Sequence, residues 1–151
     1  MGKKKKDFEL KNKKAFFNFE IIEKYEAGIQ LIGSEVKSIR ASNVSFTDSY
    51  CIFNGTELFV KNIHIDVYEH TSYNEHEPKR DRKLLLTKKE LLKLSDLVSK
   101  QGVTIVPLKL YFKNGHVKLQ IGLAKGKKQF DKRASIKEKD LKREQNREIK
   151  Y

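Results

Sequence analysis

The side chains of this sequence that could do chemistry are four histidines, one cysteine and a few carboxylates. Of the histidines, only His70 and His76 lie near each other, in a polar loop that also contains glutamates. A metal site needs a defined ligand spacing or a second cysteine, and the sequence has neither. We therefore interpret the histidines as surface residues. They are His64, His70, His76 and His116. Cys51 lies inside an apolar run, which favours a buried, inert thiol.

The carboxylates form no catalytic pattern. Glu26, Glu35 and Asp48 suit salt bridges as well as they suit acid or base catalysis. The sequence contains no glycine-rich phosphate loop behind a strand and no serine-centred elbow. We therefore expect no catalytic residue, no metal and no cofactor. A small ribonuclease built on a barrel remains an alternative.

Two stretches combine the residue types that bind RNA. They read KLYFKNGHVKL at 109–119 and GKKQFDKR at 126–133. Basic side chains contact the phosphate backbone, and an aromatic ring among them can stack on an unpaired base. Phe130 lies among charges just beyond the last predicted strand. Its ring either stacks on a partner's base or anchors the chain back onto the folded body.

The net charge of +13 points to a polyanionic partner, and its distribution says more. Residues 1–14 carry seven lysines against two acids, residues 125–151 carry eleven basic residues against five acids, and the span between is nearly neutral. This pattern predicts extensions that contact phosphate around a body that supplies shape. We therefore divide the chain into a basic N-terminal arm at 1–14, a barrel domain at 15–124 and a basic C-terminal tail at 125–151.

The body reads as a series of short strands. Apolar residues alternate from Phe17 through Phe19 to Ile21, and a second run ends near Leu31, which predicts two adjacent strands. The segment SEVKSIRAS that follows predicts a brief helix or an irregular crossing. Asn-Gly pairs at 54–55 and 114–115 divide two further pairs of β-rich runs. They predict two hairpins, with the type I′ turn that Asn-Gly favours. Pro107 marks a strand edge or a bulge.

A polar stretch at 64–83 predicts a long surface loop that ends in a basic cluster. The cluster consists of Lys79, Arg80, Arg82 and Lys83. The body's one substantial helix should follow, because Thr87 and Glu90 form a capping box and Gly102 can end the helix. Its apolar face consists of Leu91, Leu94, Leu97 and Val98.

Five or six antiparallel strands with one interposed helix predict a mainly β protein, a small closed or nearly closed barrel with short helices. The oligonucleotide-binding (OB) type suits a basic protein, although the pattern alone does not separate it from an SH3-like barrel. The tail has helix propensity but no single apolar face. We expect it to be disordered alone, and it either folds as a helix on RNA or stays a solvated terminus, the commoner fate of charged C-termini.

No stretch approaches the roughly 18 consecutive apolar residues of a membrane span. The lysine-rich start has no apolar segment behind it that would make a signal peptide. We therefore expect a cytoplasmic protein with no membrane partner.

Four blocks of the sequence closely resemble the SsrA-binding protein family, also called small protein B. They are NKKAFFNFEIIEKYEAGIQLIGSEVKSIRASNVSFTDSY, RKLLLTKKEL, VPLKLYFKNGHVKLQIGLAKGKKQFDKR and IKEKDLKRE. The resemblance runs from about residue 12 to the C-terminus. The segments EVKSIR, RKLLL and AKGKKxxDKR within these blocks are highly specific.

The resemblance implies an OB-type barrel that acts as an RNA-binding adaptor. Such an adaptor binds the tRNA-like domain of transfer-messenger RNA, takes the place of the missing anticodon arm, and delivers the RNA to stalled ribosomes. Its tail then enters the vacant mRNA channel beside the decoding centre of the small subunit. The partners implied are transfer-messenger RNA and the ribosome, and we expect a monomer.

The family's functional positions transfer to this sequence residue by residue. The RNA-binding positions are Asn12, Glu26, Leu85, Lys118, Lys125, Lys127 and Lys128. The tail positions that sense the ribosome are Phe130, Asp131, Lys132, Arg133, Ile136 and Lys137. A general single-stranded nucleic-acid-binding barrel is the main alternative function.

Overall fold

A computed structural model describes residues 8–67 and 76–127. The strands in these ranges are β1 (Glu9–Lys11), β2 (Phe19–Ile29), β3 (Val44–Asn54), β4 (Glu57–Ile65), β5 (Arg82–Leu85), β6 (Thr104–Lys113) and β7 (His116–Gly126). The helices are α1 (Lys13–Asn18), α2 (Gly33–Arg40) and α3 (Lys88–Gln101).

The strands form one antiparallel sheet that closes on itself. Their order is β1-β6-β3-β4-β5-β2-β7, and the additional pairing of β6 with β7 closes a ring of six strands. The short strand β1 pairs with β6 outside that ring. This arrangement confirms the prediction of a mainly β protein built on a small closed barrel of OB type.

Alternating side chains of β6 and β7 supply much of the barrel's core. Ile105, Leu110, Leu119 and Ile121 are at most 2% exposed and belong to the main core cluster. Burying a side chain of this size stabilises the fold by about 1.5–3 kcal/mol. The outward side chains between them are therefore held on a rigid support.

The segment 13–29 differs from the prediction of two adjacent strands. It forms α1 followed by one long strand, β2. The Oδ1 atom of Asn12 accepts a hydrogen bond from the backbone N–H of Ala15 at 3.3 Å and so caps α1. The alternation from Phe17 to Phe19 suggested a strand, but this cap and the burial of Ala15 favour a short helix.

Both predicted hairpins are present, with different turns. Asn114 and Gly115 have φ angles of 52° and 78°, the pair of positive values that a type I′ turn requires. In the β3–β4 turn Gly55 has a φ of 65°, and Asn54 is the last residue of β3. A single positive φ at the first central residue is typical of a type II′ turn, so the prediction of type I′ at 54–55 is wrong.

The prediction for the long helix is confirmed. Thr87 Oγ1 accepts from the N–H of Glu90, and the Glu90 carboxylate accepts from the N–H of Thr87, each at 3.2 Å. Gly102 ends α3 in the left-handed conformation with a φ of 62°. Leu94 is buried, and the other apolar residues of the face are half-buried. Pro107 also behaves as predicted, because the β6–β7 register shifts between Pro107 and Lys109.

Arg82, predicted within a basic surface cluster, is completely buried. Its Nε donates to the Glu35 carboxylate at 2.5 Å, and the side chains of both residues are 0% exposed. Arg80 donates to the other carboxylate oxygen at 2.7 Å. Burial alone would raise the pKa of Glu35, but the hydrogen bonds from Arg80, the Ile32 backbone and Arg82 hold it below its usual value. Glu35 is therefore an ionised structural residue that ties α2 to the start of β5.

No helix in the described part of the chain is long and apolar enough to cross a membrane. Residues 9–18 form β1 and α1 against the barrel, and β7 continues as far as Gly126. The division of the chain into two arms and a barrel remains a proposal.

Candidate nucleic-acid interface

Five strands bring a continuous row of residues together on the barrel. Leu85 on β5 lies opposite Gly28 on β2, which lies opposite Lys118 on β7. Lys118 in turn lies opposite Tyr111 on β6, and Tyr111 lies opposite Glu9 on β1. We call these five residues the outer row. It joins Leu85 and Lys118, which are far apart in the sequence and were both predicted to bind RNA.

Glu26 lies beside the outer row, because it precedes Gly28 by two residues on β2 and so shares its face. The Tyr111 hydroxyl donates to Glu26 Oε2 at 2.6 Å. The Lys113 ammonium lies 3.2 Å from Oε1 and 3.3 Å from Oε2. These hydrogen bonds, first that of Tyr111 and then that of Lys113, lower the pKa of Glu26, and the charge of Lys118 adds to the effect. A carboxylate of the interface is thus kept ionised and held in one orientation.

Tyr111 connects several charged groups of this surface. Burial and the hydrogen bond to Glu26 raise the pKa of its hydroxyl, so Tyr111 acts as a neutral donor at physiological pH. The Lys109 ammonium lies 5.9 Å from the centre of its ring and 2.8 Å from a carboxylate oxygen of Glu9. Tyr111 is therefore hydrogen-bonded to Glu26 of β2, and its ring lies beside Lys109, which forms an ion pair with Glu9 of β1.

Leu85 is half exposed and lies at one end of the outer row. A Cβ atom at Gly28 would lie 3.2 Å from the Leu85 Cβ, so the glycine provides the space that this side chain occupies. Beside it lies an apolar groove of about 420 Å³ between the β3–β4 turn, β5 and α3. Leu92, which is 68% exposed, lines the same groove. An apolar surface of this kind can pack against the face of an unpaired base.

A second cationic patch lies where β1 and β2 pass α1. The Lys11 ammonium is 4.8 Å and the Lys24 ammonium 5.6 Å from the centre of the Phe16 ring. Lys11 lies opposite Lys109 on β6, so this patch continues the same surface. Two lysines held over one ring give closely spaced positive charge that suits a phosphate backbone.

The structure places Asn12 away from the surface. It is 8% exposed, its Nδ2 donates to the carbonyl of Pro107 at 2.8 Å, and its Oδ1 caps α1. Both polar atoms of the side chain are thus used inside the protein. The geometry gives Asn12 a positioning role between α1 and β6, and direct RNA contact by this residue remains a prediction.

The remaining predicted RNA-binding lysines lie at the end of β7. Lys125 is exposed and lies opposite Glu20 on β2. The backbone N–H of Lys127 donates to the carbonyl of Asn18 at 2.9 Å, which extends the strand pairing by one step. Lys128 and the predicted tail residues lie outside the described residues. They are Phe130, Asp131, Lys132, Arg133, Ile136 and Lys137.

The histidine prediction is wrong for His76. This residue is 4% exposed, and its ring nitrogens lie 2.9 Å from Ser34 Oγ and 2.8 Å from the carbonyl oxygen of Ile65. It joins α2 to the end of β4. In the described ranges no three of the His, Cys, Asp and Glu side chains are grouped to hold a metal ion. Cys51 is buried as predicted, and burial raises the pKa of its thiol.

Tyr111 and Lys113 are site residues that the sequence reasoning did not single out. Both belong to the stretch KLYFK, which was noted for its mixture of basic and aromatic residues. The period of two through Lys109, Tyr111 and Lys113 indicates that they share one face of a strand. What the sequence could not reveal is that Glu26, 85 residues from Tyr111 along the chain, lies on the same side of the sheet and contacts these side chains.

The chain is similar to known proteins over most of its length. A family model described as SmpB protein matches residues 9–151. The SsrA-binding protein of Treponema denticola is 51% identical over 140 residues, which cover 93% of this chain and 91% of that protein. That of Magnetococcus marinus is 53% identical over 139 residues, 92% of this chain and 93% of the relative. A solved structure described in terms of tmRNA-SmpB and the bacterial ribosome is 49% identical with a TM-score of 0.68, covering 81% of this chain and 86% of that chain.

Proposed function

Because this chain belongs to the SmpB protein family, we propose that it is an RNA-binding adaptor of trans-translation. It binds the tRNA-like domain of transfer-messenger RNA (tmRNA) and delivers that RNA to stalled ribosomes. Its partners are tmRNA and the bacterial ribosome, in agreement with the SsrA-binding relatives and with the tmRNA-SmpB structure.

The observation that carries this proposal is the mixed chemistry of the outer row. A barrel that binds any single strand needs a positively charged groove and stacking rings. This surface also presents an ionised carboxylate, Glu26, and an exposed leucine, Leu85, next to Gly28 and Lys118. Phosphate groups pair with lysine, but they neither donate a hydrogen bond to a carboxylate nor pack against a leucine. The surface therefore favours an RNA whose shape brings a phosphate, a base edge and a base face to defined places.

The lysines at the end of β7 extend this contact toward the tail. Lys125 is exposed at the strand end, and Lys127 follows it on the same chain segment. We propose that both, together with Lys128, neutralise phosphates next to the barrel. Each such contact releases counterions, so this part of the binding should weaken as salt rises.

The part of the tail that follows Lys127 is proposed to sense the ribosome. The pairing of Lys127 with Asn18 makes the tail begin at a defined place on the barrel. Residues 125–151 carry eleven basic residues against five acids, a composition that suits an rRNA-lined channel. We propose that the tail enters the vacant mRNA channel beside the decoding centre while the barrel stands in for the anticodon arm.

We also propose that the chain acts without catalysis, as a monomer in the cytoplasm. The carboxylates Glu26 and Glu35 are engaged with basic partners, and the Cys51 thiol is buried. Labelled RNA should therefore stay intact on incubation with the protein and several divalent metals. Shortened RNA would favour a nuclease.

The first test compares binding of the full chain to the tRNA-like domain of tmRNA and to an ordinary tRNA, at low and at physiological salt. We expect a preference for the tRNA-like domain that persists as salt rises. Equal binding to both RNAs with a steep loss of affinity in salt would favour a general single-strand binder.

The second test separates the two parts of the chain. Removal of every residue after Gln129 should leave binding of the tRNA-like domain nearly intact and abolish tagging of stalled peptides in a translation assay. The barrel contacts supply the affinity, whereas the tail supplies the ribosome signal. Loss of RNA binding in the truncated chain would contradict this division.

A further inference from the structure

Glu26 is held in place by groups of the protein before any RNA arrives. Tyr111 donates to one carboxylate oxygen at 2.6 Å, and the Lys113 ammonium contacts both oxygens at 3.2 and 3.3 Å. All three residues stand on strands of the closed barrel. Still, 40% of the Glu26 side chain is exposed, so a ligand can reach it. A group that is accessible and already oriented loses little conformational freedom on binding.

An ionised carboxylate in an RNA interface must face a hydrogen-bond donor, because it repels phosphate. The carboxylate has about four acceptor sites. Tyr111 takes one of them, and Lys113 bridges the two oxygens at longer distance. Each oxygen can therefore still approach a donor from the solvent side. The geometry suits a ligand with two adjacent donors.

Among the four RNA bases, guanine alone has two adjacent donors on its Watson–Crick edge, the N1–H and N2–H₂ groups. Adenine and cytosine each place an acceptor beside one donor, and uracil places a donor between two acceptors. This edge of guanine is accessible only where the base is unpaired. Leu85 and Lys118 on the adjoining row can then contact the base face and the phosphate of the same region.

We propose that Tyr111 and Lys113 are positioning residues that hold the Glu26 carboxylate to accept the N1–H and N2–H₂ of one unpaired guanine in the bound RNA. The inference rests on the proposed function, because the RNA in question is the tRNA-like domain. It adds to that function the two residues that orient Glu26 and the base that Glu26 selects.

The role of Tyr111 is tested by the pH dependence of RNA binding. The full chain and its Tyr111→Phe variant are compared by fluorescence anisotropy with the labelled tRNA-like domain from pH 4 to pH 8. The groups facing Glu26 are Tyr111 and Lys113 from β6 and Lys118 from β7, while β5 pairs with β2 further along, at Gly28 and Ile29. The acid limb is the pH range in which affinity falls as Glu26 becomes protonated. Since Tyr111 lowers the pKa of Glu26, loss of the tyrosine hydroxyl should raise that pKa and move the acid limb to higher pH.

At neutral pH we expect Tyr111→Phe to weaken binding about tenfold, as the loss of a hydrogen bond to a charged group does. Lys113→Met should also weaken binding, whereas Lys113→Arg should preserve most of it. An affinity loss without a shift of the acid limb would indicate a merely structural role for Tyr111 and would overturn the proposal.

The matched control is Tyr25→Phe. The Tyr25 hydroxyl also donates to a glutamate, Glu23, whose carboxylate lies 3.4 Å from the ammonium of Lys93. Tyr25 packs against the core, so this set of residues lies on the other face of β2. Tyr25→Phe should leave both the affinity for RNA and its acid limb unchanged. An equal effect of the two tyrosine variants would contradict a specific role of Tyr111.

The guanine is tested by replacing unpaired guanines of the tRNA-like domain with inosine, one at a time. Inosine lacks the N2 amino group, so one replacement should weaken binding to the wild-type chain about tenfold. The same replacement should have little effect on Glu26→Gln. If no inosine weakens binding, or if only a 2′-deoxy substitution does, Glu26 accepts from another donor and the proposal is wrong.

These outcomes are distinguishable from failure of the proposed function. If the wild-type chain does not prefer the tRNA-like domain to an ordinary tRNA, the proposed function fails. If it keeps that preference but ignores inosine, only the inference about guanine fails.

Discussion

The buried ion pair between Glu35 and Arg82 makes a strong prediction about stability, because both side chains are 0% exposed. The change is Glu35→Gln, which removes the negative charge with little change of shape. In the wild type Arg82 donates to Glu35 at 2.5 Å and to the carbonyl oxygens of Ile63, Arg80 and Pro78 at 2.9, 3.0 and 3.1 Å. After the change, the Arg82 guanidinium keeps its hydrogen bonds to these carbonyl oxygens but loses the negative charge of Glu35 that balanced it in the interior.

The expected cost follows from this burial. Removing one partner of a buried ion pair destabilises a protein by about 3–5 kcal/mol, because the other charge is left uncompensated. A small domain has only about 5–15 kcal/mol of stability to lose. With a urea m value of about 2 kcal/mol/M, a loss of about 4 kcal/mol lowers the unfolding midpoint by about 2 M.

The assay is urea unfolding at neutral pH, followed by circular dichroism. The control is Asp96→Asn, which removes an exposed ion pair with Lys100 on α3, where the two side chains are 58% and 71% exposed. Exposed pairs one helical turn apart contribute about 0.3–0.5 kcal/mol. The control should therefore shift the midpoint by about 0.2 M.

A Glu35→Gln midpoint within about 0.5 M of the wild type would refute this reasoning. If Glu35→Gln does not fold, a second variant still tests the same reasoning. Glu35→Leu combined with Arg82→Met removes both charges, so it should recover much of the lost stability. Since Arg82 begins β5 and Leu85 ends it, Glu35→Gln should also weaken RNA binding through the position of Leu85.

Two further predictions concern the same fold. The pKa of Glu35 is held below its ordinary value of 4.5, so its contribution to stability is fully present above pH 4.5 and is lost as pH falls through the lower folded-state pKa. Urea midpoints at pH 7 and at pH 3 should therefore differ more in the wild type than in Glu35→Gln, and equal differences would contradict the assignment. Thr87→Ala removes the α3 cap and should cost about 1 kcal/mol in urea unfolding, whereas Ser99→Ala near the helix end should cost less.

Local signals predicted the elements that depend on neighbouring residues. The capping box at Thr87, the left-handed Gly102 and the Asn114-Gly115 turn each act within a few positions, and the structure has all three as predicted. Pro107 marks the bulge in β6 for the same reason, since a proline removes a backbone donor at its own position.

Long-range burial could not be predicted in this way. Arg82 in KRDRK and His76 in EHEP stand in polar surroundings that indicate a surface. In the fold both are buried, because α2 packs over them and brings Glu35 and Ser34 as partners. A charged residue is buried only where its partner is supplied, and here the partners lie more than 40 residues away in the sequence.

The candidate interface depends on two bulges, and only one of them was visible in the sequence. Near the start of β2, Glu20 pairs with Lys125 of β7. If this register continued along the strand, Glu26 would lie opposite Leu119, a core residue. The shift between Ile21 and Glu23 instead sets Glu26 opposite Gln120. A slip of one residue exchanges the two faces of a strand, so this bulge turns Glu26 outward.

The bulge at Pro107 does the same for β6. If the β6–β7 register found before Pro107 continued, Tyr111 would lie opposite Val117, a core residue. In the observed register, Tyr111 lies opposite Lys118. Glu26 and Tyr111 thus meet because both strands shift by one residue before they reach the outer row. Deletion of Ile22, the exposed residue at the β2 bulge, should therefore abolish RNA binding even if the shortened chain still folds as a barrel.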